Sequence, residues 1–191
     1  MGTMFLQEVE ATVVVADVRD FSPLAAQLGP VELGLALSRF YEHVGAAVER
    51  HRGRIVKFIG DGVLAVFIGA PEVHRERALL AIAELVGSRQ AFLDENVGLK
   101  LPVLDYAIGA ASGHLLAGEL GTDKLRFYDV LGQPVNQAFR LTGLATRRGV
   151  TNLIAADTYE QAAKDHRPTA VETDMVELGS DKLRLFKVEG P

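Results

Sequence analysis

The stretch Lys57-Phe-Ile-Gly-Asp61-Gly-Val-Leu-Ala-Val-Phe67 decides the fold of this chain, because it joins two short apolar runs through a Gly-Asp-Gly turn. Residues 54–59 and 63–68 have the length and the content of β-branched and aromatic residues expected of strands. Glycine permits the positive φ angles that tight hairpin turns need. The sequence therefore predicts a β-hairpin with Asp61 at its turn. Asp-Gly pairs are common in ordinary turns, so Asp61 alone does not indicate chemistry.

A second carboxylate ends another apolar run. Asp17 follows the Val-rich residues 9–16, which predict a buried strand. An Asp at a strand end often caps the following turn. A carboxylate beside a buried strand is nevertheless costly unless it is paired or binds a metal ion. Together with Asp61 on a neighbouring strand, Asp17 has the oxygen chemistry that Mg²⁺ prefers.

Composition limits the classes of partner. The chain has 191 residues, enough for one domain with a sizeable core, and a net charge of −5. No global basic field is present, so we expect no nucleic-acid partner. The absence of cysteine excludes disulfides and thiolate metal sites and fits a reducing, cytoplasmic location. No apolar run approaches the ~20 residues of a membrane span, so we expect no membrane segment in this chain.

The remaining periodicity alternates between strand and helix. Ser22-Pro23 reads as a helix start, with apolar helical spacing that continues to about Gly53. Further helices are predicted from Glu72 to about Glu95, from Pro134 to about Thr146 and over 157–164. Strands are predicted over 103–111, 114–120, 124–130 and 152–156, with two more within 170–188. This interleaving indicates an α/β (α+β) class with helices packed on a mixed sheet. We expect an N-terminal extension over 1–8 and one domain over 9–191.

Three further residues are candidates for ligand binding. Lys57 stands among apolar residues, where it either extends to the sheet edge or donates a hydrogen bond to a buried acceptor such as a base nitrogen. Asn136 and Arg140 are four residues apart on one predicted helix, hence on one face, while Val135, Ala138 and Phe139 are expected to face the core. A lone Arg is usually an ordinary surface residue. Beside an Asn it is also suited to hold a phosphate next to a ribose oxygen.

Three stretches in this order resemble the catalytic domain of the class III adenylate and guanylate cyclases: Asp17-Val-Arg-Asp-Phe-Ser22, Lys57–Phe67, and Tyr128-Asp-Val-Leu-Gly-Gln-Pro-Val-Asn-Gln-Ala-Phe-Arg140. The similarity runs from about residue 9 to the end of the chain. It implies the ferredoxin-like, palm-like fold of that family, with a mixed sheet covered by helices.

The resemblance assigns roles to single positions. Asp17 and Asp61, helped by the carbonyl of Val18, are expected to hold two Mg²⁺ or Mn²⁺ ions per site. Backbone amides around Asp20, Phe21 and Ser22 are expected to hold the β- and γ-phosphates of the nucleotide.

The base and the transition state have their own expected residues. Lys57 and Asp129 match the pair that reads adenine, whereas guanylate cyclases typically place Glu and Cys there. The predicted substrate is therefore ATP, with cyclic AMP and pyrophosphate as products. Asn136 is expected to orient the ribose, and Arg140 to stabilise charge that develops on the phosphate.

In the family each site forms between two protomers, so the resemblance implies a homodimer. One protomer supplies the metal-binding carboxylates and the other supplies the base-reading and transition-state residues. A regulatory domain is expected outside this chain. The sequence departs from the family pattern at three places: Asp20 stands where Gly is frequent, Leu131 stands where an aromatic residue is common, and Glu177-Leu178-Gly179 lacks a triphosphate lysine that Lys182 could replace.

Two other readings stay open at this point. A non-catalytic homologue would bind nucleotide or dimerise without turnover, although the metal, base and transition-state positions are all filled. A diguanylate cyclase would share a related core, but its Gly-Gly-Asp/Glu-Glu-Phe hairpin is replaced here by Ile59-Gly60-Asp61-Gly62.

Overall fold

The computed structural model describes residues 6–173, 175–178 and 181–190. Its main feature is a mixed sheet in the order β2-β3-β1-β4-β6-β10-β7, with β5 paired to the far end of β4. The strands are β1 Leu6–Val18, β2 Arg54–Ile59, β3 Gly62–Ile68, β4 Tyr106–Gly121, β5 Arg126–Leu131, β6 Asn152–Ala155, β7 Ala170–Glu172, β8 Val176–Leu178, β9 Asp181–Leu183 and β10 Leu185–Val188. The helices are α1 Phe21–Ala25, α2 Pro30–Arg50, α3 Pro71–Gly98, α4 Gln133–Arg148 and α5 Ala156–Glu160. The expected mixed sheet with helices packed on it is confirmed.

The sheet separates two apolar cores, and β1 contributes to both. Val14 and Ala16 belong to the core under α2 and α3, while Val13 and Val15 belong to the core under α4. All four residues are at most 1% exposed, which explains why β1 is a continuous run of apolar residues rather than an alternating one. The strand is longer than the predicted 9–16, because Leu6 to Val18 all pair with β4.

The prediction of separate strands over 103–111 and 114–120 was wrong. Residues 106–121 form one strand, β4, which continues through Gly113 at φ 153° and Gly118 at φ 151°, and residues 103–105 precede it outside any strand. An isolated glycine within a strand pattern often marks a bulge or a close backbone approach, which favours an interruption at Gly113. Here the unbroken register with β1 provides hydrogen-bond partners on both sides of Gly113 and keeps the strand continuous.

The region after Asp17 also differs from the prediction. The helix expected from Ser22-Pro23 to Gly53 is two helices, the five-residue α1 and the long α2, which begins at Pro30 after Gly29. Asp20 precedes α1 with a left-handed backbone (φ 48°), so the first helical residue is Phe21 rather than Pro23. In the tail, four short strands replace the two expected. The hairpin through Gly60 and Asp61 is confirmed.

Helix α4 packs unusually close to β4. A side chain at Gly109 would collide with the carbonyl oxygen of Ala138 and the backbone nitrogen of Thr142. The hydroxyl of Thr142 donates to the carbonyl of Ala138 at 2.8 Å and lies 3.3 Å from the carbonyl of Val15 on β1. Glycine at position 109 therefore allows the backbone of α4 to approach the sheet closely.

Among the described residues, no helix combines the length and the apolar character needed to cross a membrane.

Candidate active site

Asp17 and Asp61 come together at the end of β1. Asp17 pairs with Gly62, the first residue of β3, and the backbone N–H of Val18 donates to the carbonyl of Asp61 at 3.2 Å. The hairpin turn therefore lies directly beside the end of the central strand. A Cβ at Gly62 would stand 2.8 Å from Oδ1 of Asp17, so glycine leaves room for that carboxylate.

The electrostatics of this pair suit a cation. Burial, followed by repulsion from Asp61, raises the pKa of Asp17 from 3.8 to about 6. A half-buried carboxylate that faces a second carboxylate lacks a compensating positive charge, which a divalent ion would supply. The described residues hold no group of three or more His, Asp or Glu arranged for a metal ion. Two carboxylates are a set that Mg²⁺ accepts while water or substrate oxygens fill its remaining positions.

The loop after Asp17 exposes backbone donors. The N–H groups of Asp20, Phe21 and Ser22 precede or begin α1, where a helix leaves its first donors without intrahelical partners. The ring of Phe21 packs against the core, while Ser22 is exposed. The loop is thereby anchored by an apolar side chain at the start of α1.

Lys57 and Asp129 form a close ion pair. The distance from Lys57 Nζ to Asp129 Oδ2 is 2.6 Å, and the second carboxylate oxygen accepts the backbone N–H of Val130 at 2.8 Å. Lys57 keeps 43% of its side chain exposed and Asp129 22%. The pair presents one donor and one acceptor side by side at the protein surface.

The strands that carry this pair, β2 and β5, are not hydrogen-bonded to each other. A β-bulge in β2 between Ile55 and Lys57 shifts the register with β3 and changes the direction of the strand. A second bridge joins the same two strands, since the guanidinium of Arg54 lies 3.5 Å from the ring centroid of Tyr128. The two contacts together hold β2 beside β5.

Asn136 and Arg140 are exposed on α4. Within the described part of the chain, neither side chain has a hydrogen-bonding or ionic partner. The expected core positions Val135 and Ala138 do pack inward. Phe139 was wrongly assigned to the core, because 38% of it is exposed on the same side as the exposed polar pair.

Within one chain, Asn136 is remote from Asp17. The C-terminal end of α4 lies beside the end of β1, because the Arg19 side chain reaches the carbonyls of Ala145 and Thr146. Asn136 precedes Thr146 by ten residues, about 15 Å of helix. The structure therefore brings together Asp17 with Asp61, and Lys57 with Asp129, but it does not bring Asn136 to the carboxylates.

Three residues with contacts at the site had no role in the sequence analysis. Tyr41 on α2 donates its hydroxyl to the carbonyl of Gly60 in the hairpin turn, and its ring stacks on Phe58 with centroids 4.3 Å apart. Burial, with the nearby Asp61, raises the pKa of Tyr41. Arg54 and Arg19 make the contacts described above. The sequence gives little sign of these contacts, since a Tyr at helical spacing is typical of a core position and an Arg at a strand end or in a loop is typical of the surface.

The three places where the sequence departs from the family pattern have different surroundings in the structure. Asp20 is exposed at the N-cap of α1, where its side chain makes no capping hydrogen bond. Leu131 is 47% exposed. Gly179 and the side chains of Glu177 and Lys182 lie outside what the structure describes, so the role suggested for Lys182 stays a prediction.

His74 is fully buried and its Nδ1 lies 2.8 Å from the hydroxyl of Thr12, which in turn contacts Ser112 at 2.7 Å. Burial, with the neighbouring Arg75, lowers the pKa of His74 to about 4. This ring is a neutral, structural part of the core.

Comparison with known proteins agrees with this geometry. The family model of the adenylate and guanylate cyclase catalytic domain matches residues 6–189. A protein of Mycobacterium tuberculosis (strain ATCC 25618 / H37Rv), Rv1319c, is 34% identical over 163 residues, which cover 84% of this chain and 29% of that protein. The chain thus spans less than a third of the length of this curated relative.

Solved structures give the same result. The guanylyl cyclase Cya2 is 26% identical with a TM-score of 0.84, over 100% of this chain and 95% of that one. The adenylyl cyclase CyaB from P. aeruginosa has a TM-score of 0.84 at 21% identity, over 97% of this chain and 96% of that one. With this fold and this family match, the chain belongs to the class III adenylate and guanylate cyclase catalytic domains.

Proposed function

We propose that this domain is an adenylate cyclase, which converts ATP to 3′,5′-cyclic AMP and pyrophosphate. The observation that carries the choice of base is the ion pair between Lys57 and Asp129. Adenine offers an acceptor at N1 beside a donor at its 6-amino group, and Lys57 supplies a donor beside the acceptor of Asp129. Guanine presents the opposite arrangement at the corresponding atoms, so this pair disfavours GTP.

The reaction joins two parts of one substrate. The ribose 3′-oxygen attacks the α-phosphorus, the bond from that phosphorus to the bridging oxygen breaks, and pyrophosphate leaves while the hydroxyl proton passes to solvent. Asn136 is suited to hold the ribose oxygen, and the guanidinium of Arg140 to stabilise the charge on the α-phosphate. The free N–H groups around Phe21 and Ser22 are suited to bind the β- and γ-phosphates.

Asp17 and Asp61, with the Val18 carbonyl, are the residues that would hold two Mg²⁺ or Mn²⁺ ions. Bound there, such ions polarise the α-phosphate and make the 3′-hydroxyl easier to deprotonate. The raised pKa of Asp17 supports this assignment, since the carboxylate pair is electrostatically incomplete without a cation.

The separation of these residues supports a site shared between two protomers. In one chain Asn136 lies near the start of α4, whereas Asp17 lies beside the end of that helix, so a second protomer is the better source of Asn136. A C₂ homodimer would place α4 of one protomer opposite the carboxylates of the other and complete two sites. Exposed apolar side chains on β2, β5 and α4, among them Phe58, Phe127 and Phe139, are available for such an interface.

Complementation tests the shared site. The Asp17→Asn chain lacks a metal-binding half, and the Arg140→Ala chain lacks a transition-state half, so each homodimer should be inactive. A one-to-one mixture forms heterodimers with one intact site, and about a quarter of the wild-type cyclic AMP production should return. No recovery on mixing, from two chains that are folded and dimeric, would contradict the proposal.

Assays with GTP separate the remaining alternatives, because the family and its solved structures include guanylyl cyclases. Cyclic GMP as the main product would replace the proposed base specificity. A product that joins two guanosine nucleotides would indicate a diguanylate cyclase. Nucleotide binding without any turnover would indicate a non-catalytic member.

A further inference from the structure

Arg19 is held in place by more contacts than its position in a loop suggests. Its side chain is only 12% exposed, and its Nε lies 3.2 Å from the carbonyl oxygen of Tyr106 and 3.3 Å from Oδ2 of Asp105. Its backbone N–H donates to the carbonyl of Asp105 at 2.8 Å. Arg89 of α3 binds the same carboxylate, with Nε 2.7 Å from Oδ1. Two arginines thus clamp Asp105 directly behind the loop that follows Asp17.

The other end of the Arg19 guanidinium reaches α4. Nη1 lies 3.5 Å from the carbonyl of Ala145 and 3.4 Å from that of Thr146, and Nη2 donates to the carbonyl of Val150. The carbonyls of Ala145 and Thr146 also accept the backbone N–H groups of Val150 and Gly149, so Arg19 adds a further donor at this helix end, where a cation complements the helix dipole. Only the planar fork of arginine can serve Asp105 and these carbonyls together, so lysine is a poor substitute.

We infer that Arg19 is a positioning residue that fixes the phosphate-binding loop against α4 and thereby sets both halves of the active site. This inference rests on the proposed function. Arg19 stands between Asp17 and Phe21, and the helix end that it holds lies five residues beyond Arg140. In the proposed dimer, the loop after Asp17 serves one site and α4 of the same chain serves the other. Each Arg19 therefore acts on both sites.

The first test compares Arg19→Gln and Arg19→Lys with Arg89→Gln. Arg89 shares Asp105 but contacts no part of α4 within the described residues, so it is a matched control. We expect kcat for ATP to fall about tenfold or more in Arg19→Gln, because small misplacements of reacting groups cost that much, and the ATP KM to rise, because the displaced loop binds the β- and γ-phosphates. Arg19→Lys, which keeps the charge beside Asp105, should restore the melting temperature without restoring kcat. Arg89→Gln should keep kcat within threefold of wild type.

A purely structural role would lower the melting temperature and leave kcat unchanged in protein that remains folded. That result, or a kcat loss as large in Arg89→Gln, would overturn the inference. If the wild-type chain makes no cyclic nucleotide, the proposed function fails instead, and the two failures are therefore distinct.

Mixed dimers test the two-ended action. In the complementing pair, Arg19→Gln can be placed on the Asp17→Asn chain, whose α4 serves the intact site, or on the Arg140→Ala chain, whose phosphate-binding loop serves it. We expect at least a fivefold loss of the recovered activity in both arrangements. A loss in only one arrangement, or in neither, would contradict an Arg19 that sets both halves.

Discussion

Lys57 and Asp129 lie 2.6 Å apart although their strands share no backbone hydrogen bonds. The bulge in β2 and the stacking of Arg54 on Tyr128 bring the two strands together. The donor and the acceptor are thus positioned before any nucleotide binds, and the edge of the base would replace part of this ion pair.

Base preference should therefore change with this pair. The double variant Lys57→Glu/Asp129→Cys replaces the donor and the acceptor by the types that guanine requires. The single variant Lys57→Glu would place two carboxylates together and is expected to fold less well. The ratio of kcat/KM for GTP to that for ATP should rise at least tenfold in the double variant, measured by chromatography of the cyclic products. An unchanged ratio in a folded double variant would show that the pair does not read the base.

Removal of the Asp17 charge should stabilise the metal-free protein while it abolishes activity. The pKa of Asp17 is about 6 in the folded chain against 3.8 as its ordinary value. The folded state therefore binds the extra proton between these pH values, and stability decreases as the pH rises from about 4 to about 6. Asp17→Asn lacks this loss. Its free energy of unfolding should exceed that of wild type by on the order of 1 kcal/mol at pH 7.5, allowing for solvent screening.

Urea unfolding in EDTA at pH 4.5 and at pH 7.5 measures this difference. The advantage of Asp17→Asn should be larger at pH 7.5, and added Mn²⁺ should stabilise wild type but not the variant. An advantage that shrinks as the pH rises would contradict the assigned electrostatics.

Asp20 should weaken nucleotide binding through its charge and the fold through its backbone. The residue is exposed at φ 48°, a conformation that costs a non-glycine residue about 1 kcal/mol. Asp20→Asn removes only the charge beside the phosphates, and Asp20→Gly removes the charge and the strain. Both variants should lower the ATP KM, and only Asp20→Gly should raise the melting temperature. A higher KM in both would mean that Asp20 assists binding.

Gly109→Ala should displace α4 and destabilise the protein by ~1–3 kcal/mol, as expected for overpacking. The new methyl group would meet the backbone of α4 near Ala138 and Thr142, which cannot move like a flexible side chain. Gly45→Ala on α2 is the control, because nothing lies within 4 Å of its added methyl group and helix propensity favours alanine there by ~1 kcal/mol. Equal stabilities of the two variants in chemical denaturation would contradict this packing.

The features that sequence predicted well depend on local pattern. The hairpin around Asp61 and the helices α3 and α4 follow from turn chemistry and from apolar spacing over many residues. Local sequence rules predict two strands separated at Gly113. Pairing with β1, which is distant in sequence, keeps β4 continuous instead. The prediction that Phe139 lies in the core was wrong, because a helix that faces both a core and an open surface carries apolar residues on both sides.

The site shows the same division. Residues of the three motifs could be named from sequence, and the structure places Asp17 with Asp61 and Lys57 with Asp129. Arg19 could not be identified, because its partners at Asp105, Tyr106 and Ala145 are distant in sequence and are mostly backbone carbonyls, which carry no residue signature.

The most direct test of the central claim is a dilution series of the wild-type chain with ATP or GTP, in Mg²⁺ and in Mn²⁺, with quantification of cyclic nucleotide per milligram of protein. The account predicts cyclic AMP as the main product and a specific activity that falls as the chain is diluted and the dimer dissociates. Cyclic AMP at a specific activity that stays constant while the protein becomes monomeric would contradict the shared site. A preference for GTP would contradict the reading of Lys57 and Asp129.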